Sequence, residues 1–199
     1  WNIDALQEIE RETGKNIYNI LQLRLHDSII KVKKMVDEGP ADKIYDFDLT
    51  YQTSRGSWYY TSWKGNDEKS GGIATNIGVH FFDMLAWIFG EPLENIVNVY
   101  THDRAAGFLH FKQAKVKWFL SINDQTLPQE ISESGQRVYR KLTLGNEVFD
   151  FSKGFDDLHT KSYQHIVDGH GYGIADTKRA IDIVYQIRNS DKTALSDQS

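Results

Sequence analysis

The 199-residue chain contains no cysteine, which excludes a disulfide framework, a thiol nucleophile and a thiolate metal site. It also lacks a basic excess: 23 lysines and arginines against 28 aspartates and glutamates give a net charge of -5, whereas nucleic-acid-binding proteins usually carry a basic patch. No apolar run approaches the ~18 residues of a membrane span, and no basic-then-apolar leader is visible. The seven histidines form no HExxH-type pairing, so the sequence predicts no metal site, nucleic-acid partner or membrane span.

The most distinctive stretch is 70–83, where a Gly-Gly pair precedes a helical pattern that runs to about residue 89. Asn76, His80 and Asp83 are spaced i, i+4 and i+7, so they share one face of this helix. An imidazole beside a carboxamide, next to backbone left bare by glycines, is suited to proton transfer. The alternative is that His80 is a satisfied interior histidine and Asn76 a helix cap.

A second unusual stretch, 55–65, is dense in aromatic residues. Four of the six residues 58–63 are Trp or Tyr, and the cations Arg55 and Lys64 flank them. One interpretation is a pocket wall whose rings stack on a sugar or base while the cations meet phosphate or carboxylate. The other is an aromatic loop packed under a sheet or into a subunit contact.

The remaining pattern predicts an opening helix at 2–13, capped by Asn2 and Gly14, followed by a strand at 16–24. We expect this helix and strand to be the end of a βαβ domain. Further helices are predicted at 26–36, 156–168 and 175–188. Strands with one solvated face are predicted at 43–53, 96–103, 106–111, 114–122, 137–143 and 147–151, with hairpin turns at 104–105 and 112–113 and a mobile loop at 123–134.

The stretch 70–83 resembles the catalytic-helix signature of the glucose-fructose oxidoreductase / inositol dehydrogenase / MocA family of NAD(P)-dependent sugar dehydrogenases. A wider set of motifs is similar to one subgroup, the UDP-N-acetylglucosaminuronate 3-dehydrogenases of O-antigen and surface-polysaccharide synthesis. Those motifs lie at 22–24, 56–59, 62–65, 150–155 and 157–160.

The resemblance implies an α+β fold: an open, mostly antiparallel sheet with helices on one face, preceded by a remnant helix and strand of a Rossmann domain. It divides the chain into that remnant (1–25), a substrate-binding and oligomerisation domain (26–190) and a disordered tail (191–199). The family's glycine-rich dinucleotide loop and its Glu-Lys-Pro lysine would lie before Trp1. NAD or NADP would therefore be bound mainly outside this chain.

The resemblance also implies roles for individual side chains. His80 would be the acid/base at the sugar hydroxyl, and Asn76 would orient the substrate. The family's general pattern has an aspartate where this chain has Asn76, which suits that residue to holding a hydroxyl rather than to a carboxylate–histidine relay. Substrate contacts would come from four further residues, the cations Lys64 and Arg24 and the wall residues Tyr59 and Trp63.

The expected function is therefore NAD-dependent oxidation of the 3-hydroxyl of UDP-N-acetylglucosaminuronate, in the cytoplasm, by a homodimer or homotetramer formed through the sheet face. The chain by itself is expected to be inactive. Two alternatives remain open at this point. One is a non-enzymatic carbohydrate or nucleotide-sugar binding or scaffold module, and the other is a family dehydrogenase that acts on a free polyol or sugar.

Overall fold

A single mixed sheet organises the computed structural model, which describes residues 2–151, 154–155 and 157–191. Its six strands are β1 (Tyr45–Thr53), β2 (Pro92–Tyr100), β3 (Arg104–Phe111), β4 (Ala114–Ser121), β5 (Val138–Leu144) and β6 (Glu147–Asp150). They lie in the order β2-β3-β4-β1-β5-β6. Only β1 and β4 pair in parallel among these strands, and the other neighbours are antiparallel. The predicted open, mostly antiparallel sheet is confirmed.

The helices lie before, between and after the strands. They are α1 (Ile3–Thr13), α2 (Asp27–Asp37), α3 (Ser57–Thr61), α4 (Asp67–Ser70), α5 (Val79–Phe89), α6 (Gln129–Glu133), α7 (Leu158–Val167) and α8 (Ile174–Arg188). Short 3₁₀ turns occupy Gln22–Leu25, Trp63–Gly65 and Asp124–Thr126. The helices predicted at 2–13, 26–36, 156–168 and 175–188 are all present, with ends that differ by a few residues.

Apolar and polar side chains alternate along the strands, so one face of the sheet is apolar. Helices cover that face. In β1 the side chains of Tyr45, Phe47, Leu49 and Tyr51 are buried, while Asp46 between them is exposed. The buried face packs against helices α2, α5 and α8, whose apolar residues belong to the same core. Each large side chain buried this way contributes about 1.5–3 kcal/mol relative to exposure.

Helix α5 is the centre of this core. Seven of its residues are buried, which is typical of a helix that is apolar on most sides. Phe82 packs edge-on against Trp118 of β4, with ring centres 5.2 Å apart. A β-carbon at Gly78 would lie 2.7 Å from the Phe82 ring and 3.0 Å from Leu120, so this glycine permits the helix to pack closely against β4.

Several local predictions are wrong. Residues 16–24 form no strand, because among the described residues only an isolated bridge between Asn19 and Tyr172 offers them a partner. A strand needs a neighbour along its length, and 22–25 instead closes into a 3₁₀ turn whose Leu23 joins the core. Asn2 precedes α1 without a side-chain capping bond, whereas Gly14 ends the helix as predicted.

Two connections also differ from their predictions. The turn between β2 and β3 lies at 101–103 rather than at 104–105, because Thr101 and Asp103 hydrogen-bond Arg104 and close it earlier. The segment 123–134 is not a loop throughout, since it contains a 3₁₀ turn and α6. The hairpin turn at 112–113 is confirmed. The predicted tail lies outside the described residues from 192 onward, as do Trp1, 152–153 and 156.

One segment, Asp67–Phe89, is long and apolar enough by length and composition to cross a membrane. In its most apolar window 67% is buried inside the protein. The segment ends in the core helix α5, so its burial in the protein explains its apolar composition. Its length and composition are therefore weak evidence for a membrane span.

Candidate active site

The Gly-Gly pair and the helix that follows it position Asn76 and His80. Gly71 and Gly72 both have positive φ, at 77° and 69°, which L side chains rarely adopt. The chain then forms a π-helical turn over Ala74–Gly78 before it continues as α5. Single π-helical turns are frequent at functional sites. Asn76 lies within this turn, and His80 is the second residue of α5.

A pocket of about 210 Å³ opens beside these two residues. Its polar lining consists of Gln22, Arg55, Asn76, His80 and Arg140, and aromatic rings close its sides. No acidic residue among those that the structure describes lines it. The pocket is therefore small, cationic and partly aromatic, which suits an anionic ligand with an apolar face.

His80 is half-buried in the wall of this pocket. Burial lowers the pKa of the imidazole, and electrostatic interactions with His159 and Arg140 lower it further. Its ring therefore favours the neutral, proton-accepting form at neutral pH. No hydrogen bond to the ring comes from the described part of the chain, so the geometry does not support a satisfied interior histidine.

Asn76 links the pocket to the aromatic stretch. Its Nδ2 donates to the carbonyl of Gly72 at 3.2 Å and lies 3.5 Å from the carbonyl oxygen of Lys64. The same carboxamide lies beside the hydroxyl of Tyr59. Tyr59 is buried, and this burial raises the pKa of its hydroxyl, which the carboxamide slightly lowers. The side chain of Asn76 is thereby held in place at the pocket rather than serving as a helix cap.

Two arginines supply the positive charge. The guanidinium carbon of Arg140 lies 4.0 Å from the ring centre of Phe155 and 5.5 Å from that of Tyr51. Arg55 lies near Tyr59, 5.8 Å from its ring centre. The Nε of Arg55 is buried and has no hydrogen-bond partner in the described part of the protein.

The structure places Arg24 away from this pocket. Its guanidinium makes two hydrogen bonds to Asp83, with Nε–Oδ2 at 3.0 Å and Nη2–Oδ1 at 2.6 Å. It donates a third to the carbonyl of Asp176 and lies over the ring of Tyr172. Both members of the Arg24–Asp83 pair are nearly fully buried. Burial raises the pKa of Asp83, and the Arg24 hydrogen bonds oppose that rise.

The aromatic stretch forms two short helical segments, α3 and the 3₁₀ turn Trp63–Gly65, rather than one loop, and it presents an exposed rim. Tyr59 points inward, whereas Trp58 and Trp63 are more than half exposed. The Nζ of Lys64 lies 5.9 Å from both indole ring centres. No carboxylate of the described residues pairs with Lys64. Asn76, which contacts the backbone of Lys64, joins this rim to the His80 pocket.

Part of the site is not marked in the sequence. Gln22 stands within the motif at 22–24 and Arg55 flanks the aromatic stretch, but neither pattern indicates a place in this pocket, and Arg140 belongs to no motif. Arg140 lies on β5 in an otherwise ordinary strand pattern, so no local signal marks it.

No cluster of three or more potential metal ligands is found among the described residues.

The opposite, helix-free face of the sheet carries a broader hollow of about 760 Å³. Its lining includes Phe108, Phe119 and Tyr139 together with Lys117 and Lys141. Because this hollow lies across the sheet from His80, it is a separate surface from the pocket.

The chain resembles known oxidoreductases. Residues 33–128 match the family described as "Oxidoreductase family, C-terminal alpha/beta domain". Among curated proteins, the putative oxidoreductase YteT of Bacillus subtilis is 28% identical over 68 residues, which cover 33% of this chain and 16% of that protein.

Among solved structures, two of the WlbA (WbpB) dehydrogenase from Thermus thermophilus are 40% identical to the chain with TM-scores of 0.90. One contains NAD and alpha-ketoglutarate, and the other contains NAD and UDP-GlcNAcA. Each match covers 98% of this chain, and the chain spans 63% and 62% of those proteins. WlbA of Bordetella pertussis shares the fold, with a TM-score of 0.72. It is 16% identical, and the match covers 94% of this chain and 65% of that protein.

Proposed function

We propose that the protein is an NAD(P)-dependent dehydrogenase that oxidises the 3-hydroxyl of UDP-N-acetylglucosaminuronate, since residues 33–128 match the C-terminal alpha/beta domain of an oxidoreductase family. The present chain would supply the sugar site. One observation carries the proposal: a neutral imidazole, His80, lies with Asn76 in a pocket that contains two arginines and no acid among the described residues.

His80 would accept the proton of the hydroxyl that is oxidised. Its lowered pKa keeps the imidazole neutral at physiological pH, so a proton acceptor is ready without prior deprotonation. Asn76, which lies beside Tyr59 and is held by the carbonyl of Gly72, would hydrogen-bond the same hydroxyl and orient it. Orientation of this kind is a large part of the rate advantage of an enzyme.

Arg55 and Arg140 would bind the carboxylate of the sugar acid. A guanidinium matches a carboxylate with two parallel hydrogen bonds, and the unpartnered Nε of Arg55 is a donor that such a ligand satisfies. A free polyol offers no anion to the buried Nε donor of Arg55, which is why we favour a uronate over a polyol.

The exposed rim would take the nucleotide end of the substrate. Trp63 would stack on the uracil or sugar, Tyr59 would form the inner wall, and Lys64 would face the diphosphate. Arg24, which the sequence analysis assigns to the substrate, is engaged by Asp83 in this structure. We therefore transfer its proposed anion-binding role to Arg55 and Arg140.

The nicotinamide would accept the hydride when NAD or NADP is bound. The described residues contain no strand–glycine-rich turn–helix unit that could cradle a dinucleotide pyrophosphate, so they do not fit the phosphate site of the cofactor. We keep the proposed division of the chain at 25/26, with Gln22 of the first segment contributing to the sugar pocket that residues 26–190 form. The activity is assigned to the cytoplasm, where nucleotide sugars and NAD are available.

We further propose that the protein is a homodimer or homotetramer that assembles through the open face of the sheet. The hollow around Phe108 and Phe119 exposes apolar surface of the kind that subunit contacts cover. Light scattering at tens of micromolar would give at least twice 22.9 kDa for this chain, and a monomeric mass would contradict the proposal.

The test of the proposed function compares two ligands that differ only at the sugar C6. Calorimetry with UDP-N-acetylglucosaminuronate and with UDP-N-acetylglucosamine, which lacks the carboxylate, isolates the contribution of the arginines. A charged hydrogen-bonded contact contributes about 1.5–3 kcal/mol, so the uronate is expected to bind at least tenfold more tightly. Equal affinities would contradict the uronate proposal. Binding of the uronate with no NADH or NADPH formation by the protein in its native length would favour the non-enzymatic binding module.

A further inference from the structure

Gln22 brings an unsatisfied acceptor to the His80 pocket. Its side chain lines the pocket, and its Oε1 is buried without a hydrogen-bond partner among the described residues. A buried polar atom without a partner is costly in free energy, and such atoms at a pocket are commonly satisfied by the ligand. Gln22 Oε1 can only accept, so the group that satisfies it must be a donor.

The turn that carries Gln22 is fixed to the same helix as His80. Residues Gln22–Leu25 form a 3₁₀ turn, which has three residues per turn. The side chains of Gln22 and Arg24 therefore point in directions about 120° apart around its axis. Gln22 faces the pocket, while Arg24 makes its two hydrogen bonds to Asp83. Asp83 lies three residues after His80 on α5. The buried ion pair therefore sets the position of Gln22 relative to His80.

We infer that Gln22 accepts a hydrogen bond from the sugar 4-hydroxyl and that Arg24 is a positioning residue that acts through Gln22. The inference rests on the proposed function. In N-acetylglucosaminuronate the ring hydroxyls are at C3 and C4, because C2 carries the acetamido group and C6 the carboxylate. If His80 takes the proton of the 3-hydroxyl, two donors remain on the sugar, the 4-hydroxyl and the acetamido N–H, and the 4-hydroxyl is the one that we assign to Gln22.

The first test removes the acceptor and keeps the side-chain volume. Gln22→Met is titrated with UDP-N-acetylglucosaminuronate and with its 4-deoxy analogue, and each affinity is compared with the wild-type value. We expect the variant to bind the full substrate about 3- to 10-fold more weakly, the effect of one neutral hydrogen bond, and the 4-deoxy analogue as tightly as the wild type does. Gln164→Met, on the exposed side of α7, is the matched control and is expected to change neither affinity.

Each other outcome overturns part or all of the inference. If wild-type protein binds the uronate and Gln22→Met binds it equally well, Gln22 does not contact the substrate. If the weakening persists with the 4-deoxy analogue, the donor is not the 4-hydroxyl. If the wild type fails to bind the uronate at all, the proposed function fails, and this result is distinct from the first two.

The second test separates positioning from a general structural role. Arg24→Lys keeps the positive charge that Asp83 needs but cannot make the forked pair. We expect it to weaken substrate binding, and the double variant Arg24→Lys/Gln22→Met to bind no more weakly than Gln22→Met alone. Near-ultraviolet circular dichroism checks that each variant is folded. Additive losses, or an unchanged affinity in Arg24→Lys, would show that Arg24 does not act through Gln22.

Discussion

Two arginines near helix α5 have opposite environments. Arg24 is almost completely buried, and Asp83 with the carbonyl of Asp176 satisfies its guanidinium. Arg55 lines the His80 pocket, is half-buried, and retains a buried Nε without a partner among the described residues. A cation whose donors are satisfied inside the protein stabilises the fold, whereas one with a spare donor in a pocket is available to a ligand. The difference assigns Arg24 to structure and Arg55 to binding.

The largest expected effect falls on activity in the pocket. His80→Gln removes the proton acceptor but keeps a polar side chain of similar reach. We expect turnover by the native-length protein to fall by about 10²–10⁴, the usual contribution of a general base, with little change in thermal stability. Steady-state kinetics measures the loss. A variant that keeps more than a third of the wild-type kcat would remove His80 from the mechanism.

Asp83 gives the largest expected effect on stability. Asp83→Ala removes both forked hydrogen bonds of the buried Arg24 guanidinium and leaves its charge facing only the half-exposed carboxylate of Asp176, 3.6 Å away, so we expect a loss of about 3–5 kcal/mol in the free energy of unfolding. The matched control is the double variant Arg24→Met/Asp83→Leu, which removes both charges and is expected to recover most of that loss. Urea denaturation followed by circular dichroism measures both. A single variant within 1 kcal/mol of wild type would contradict a structural role for the pair.

Arg55 should behave in the opposite way to Asp83. Arg55→Met removes a charged donor that the protein itself does not satisfy, so the free energy of unfolding is expected to change by less than about 0.5 kcal/mol. Affinity for the uronate is expected to fall by about 1.5–3 kcal/mol, or 10- to 150-fold. Calorimetry and urea denaturation on the same sample give both numbers. A large stability loss with unchanged affinity would reverse the assignment.

The smallest effect near neutral pH concerns the protonation of His80. Since its pKa is lowered below 6.5, kcat/KM should be flat around pH 7 and fall tenfold per pH unit only below that lowered pKa. The same shift makes the unfolded state bind more protons below pH 6.5, so this residue favours folding above that pH and loses the contribution as pH falls toward the folded pKa. An acid limb centred at or above 6.5 would contradict the assigned base.

Local sequence spacing predicts only some of the contacts in and near the site. His80 and Asn76 lie four residues apart on one helix, so their proximity follows from local geometry. Arg24 and Asp83 are 59 residues apart in sequence, and no periodicity connects them. The sequence by itself therefore contains no local signal that distinguishes the environment of Arg24 from that of Arg55. Only the contact with Asp83 distinguishes a satisfied guanidinium from an available one.

By itself the sequence determined the strand alternation, the buried helix α5, the hairpin at 112–113 and the Gly-Gly entry to the candidate site, because local spacing and glycine conformation control these features. The tertiary structure alone decided that 16–24 is not a strand, since a strand depends on a partner that local sequence does not specify. It also decided that Gln22, Arg55 and Arg140 meet at His80. These residues come from separate elements, and long-range packing, not local pattern, brings them to one pocket.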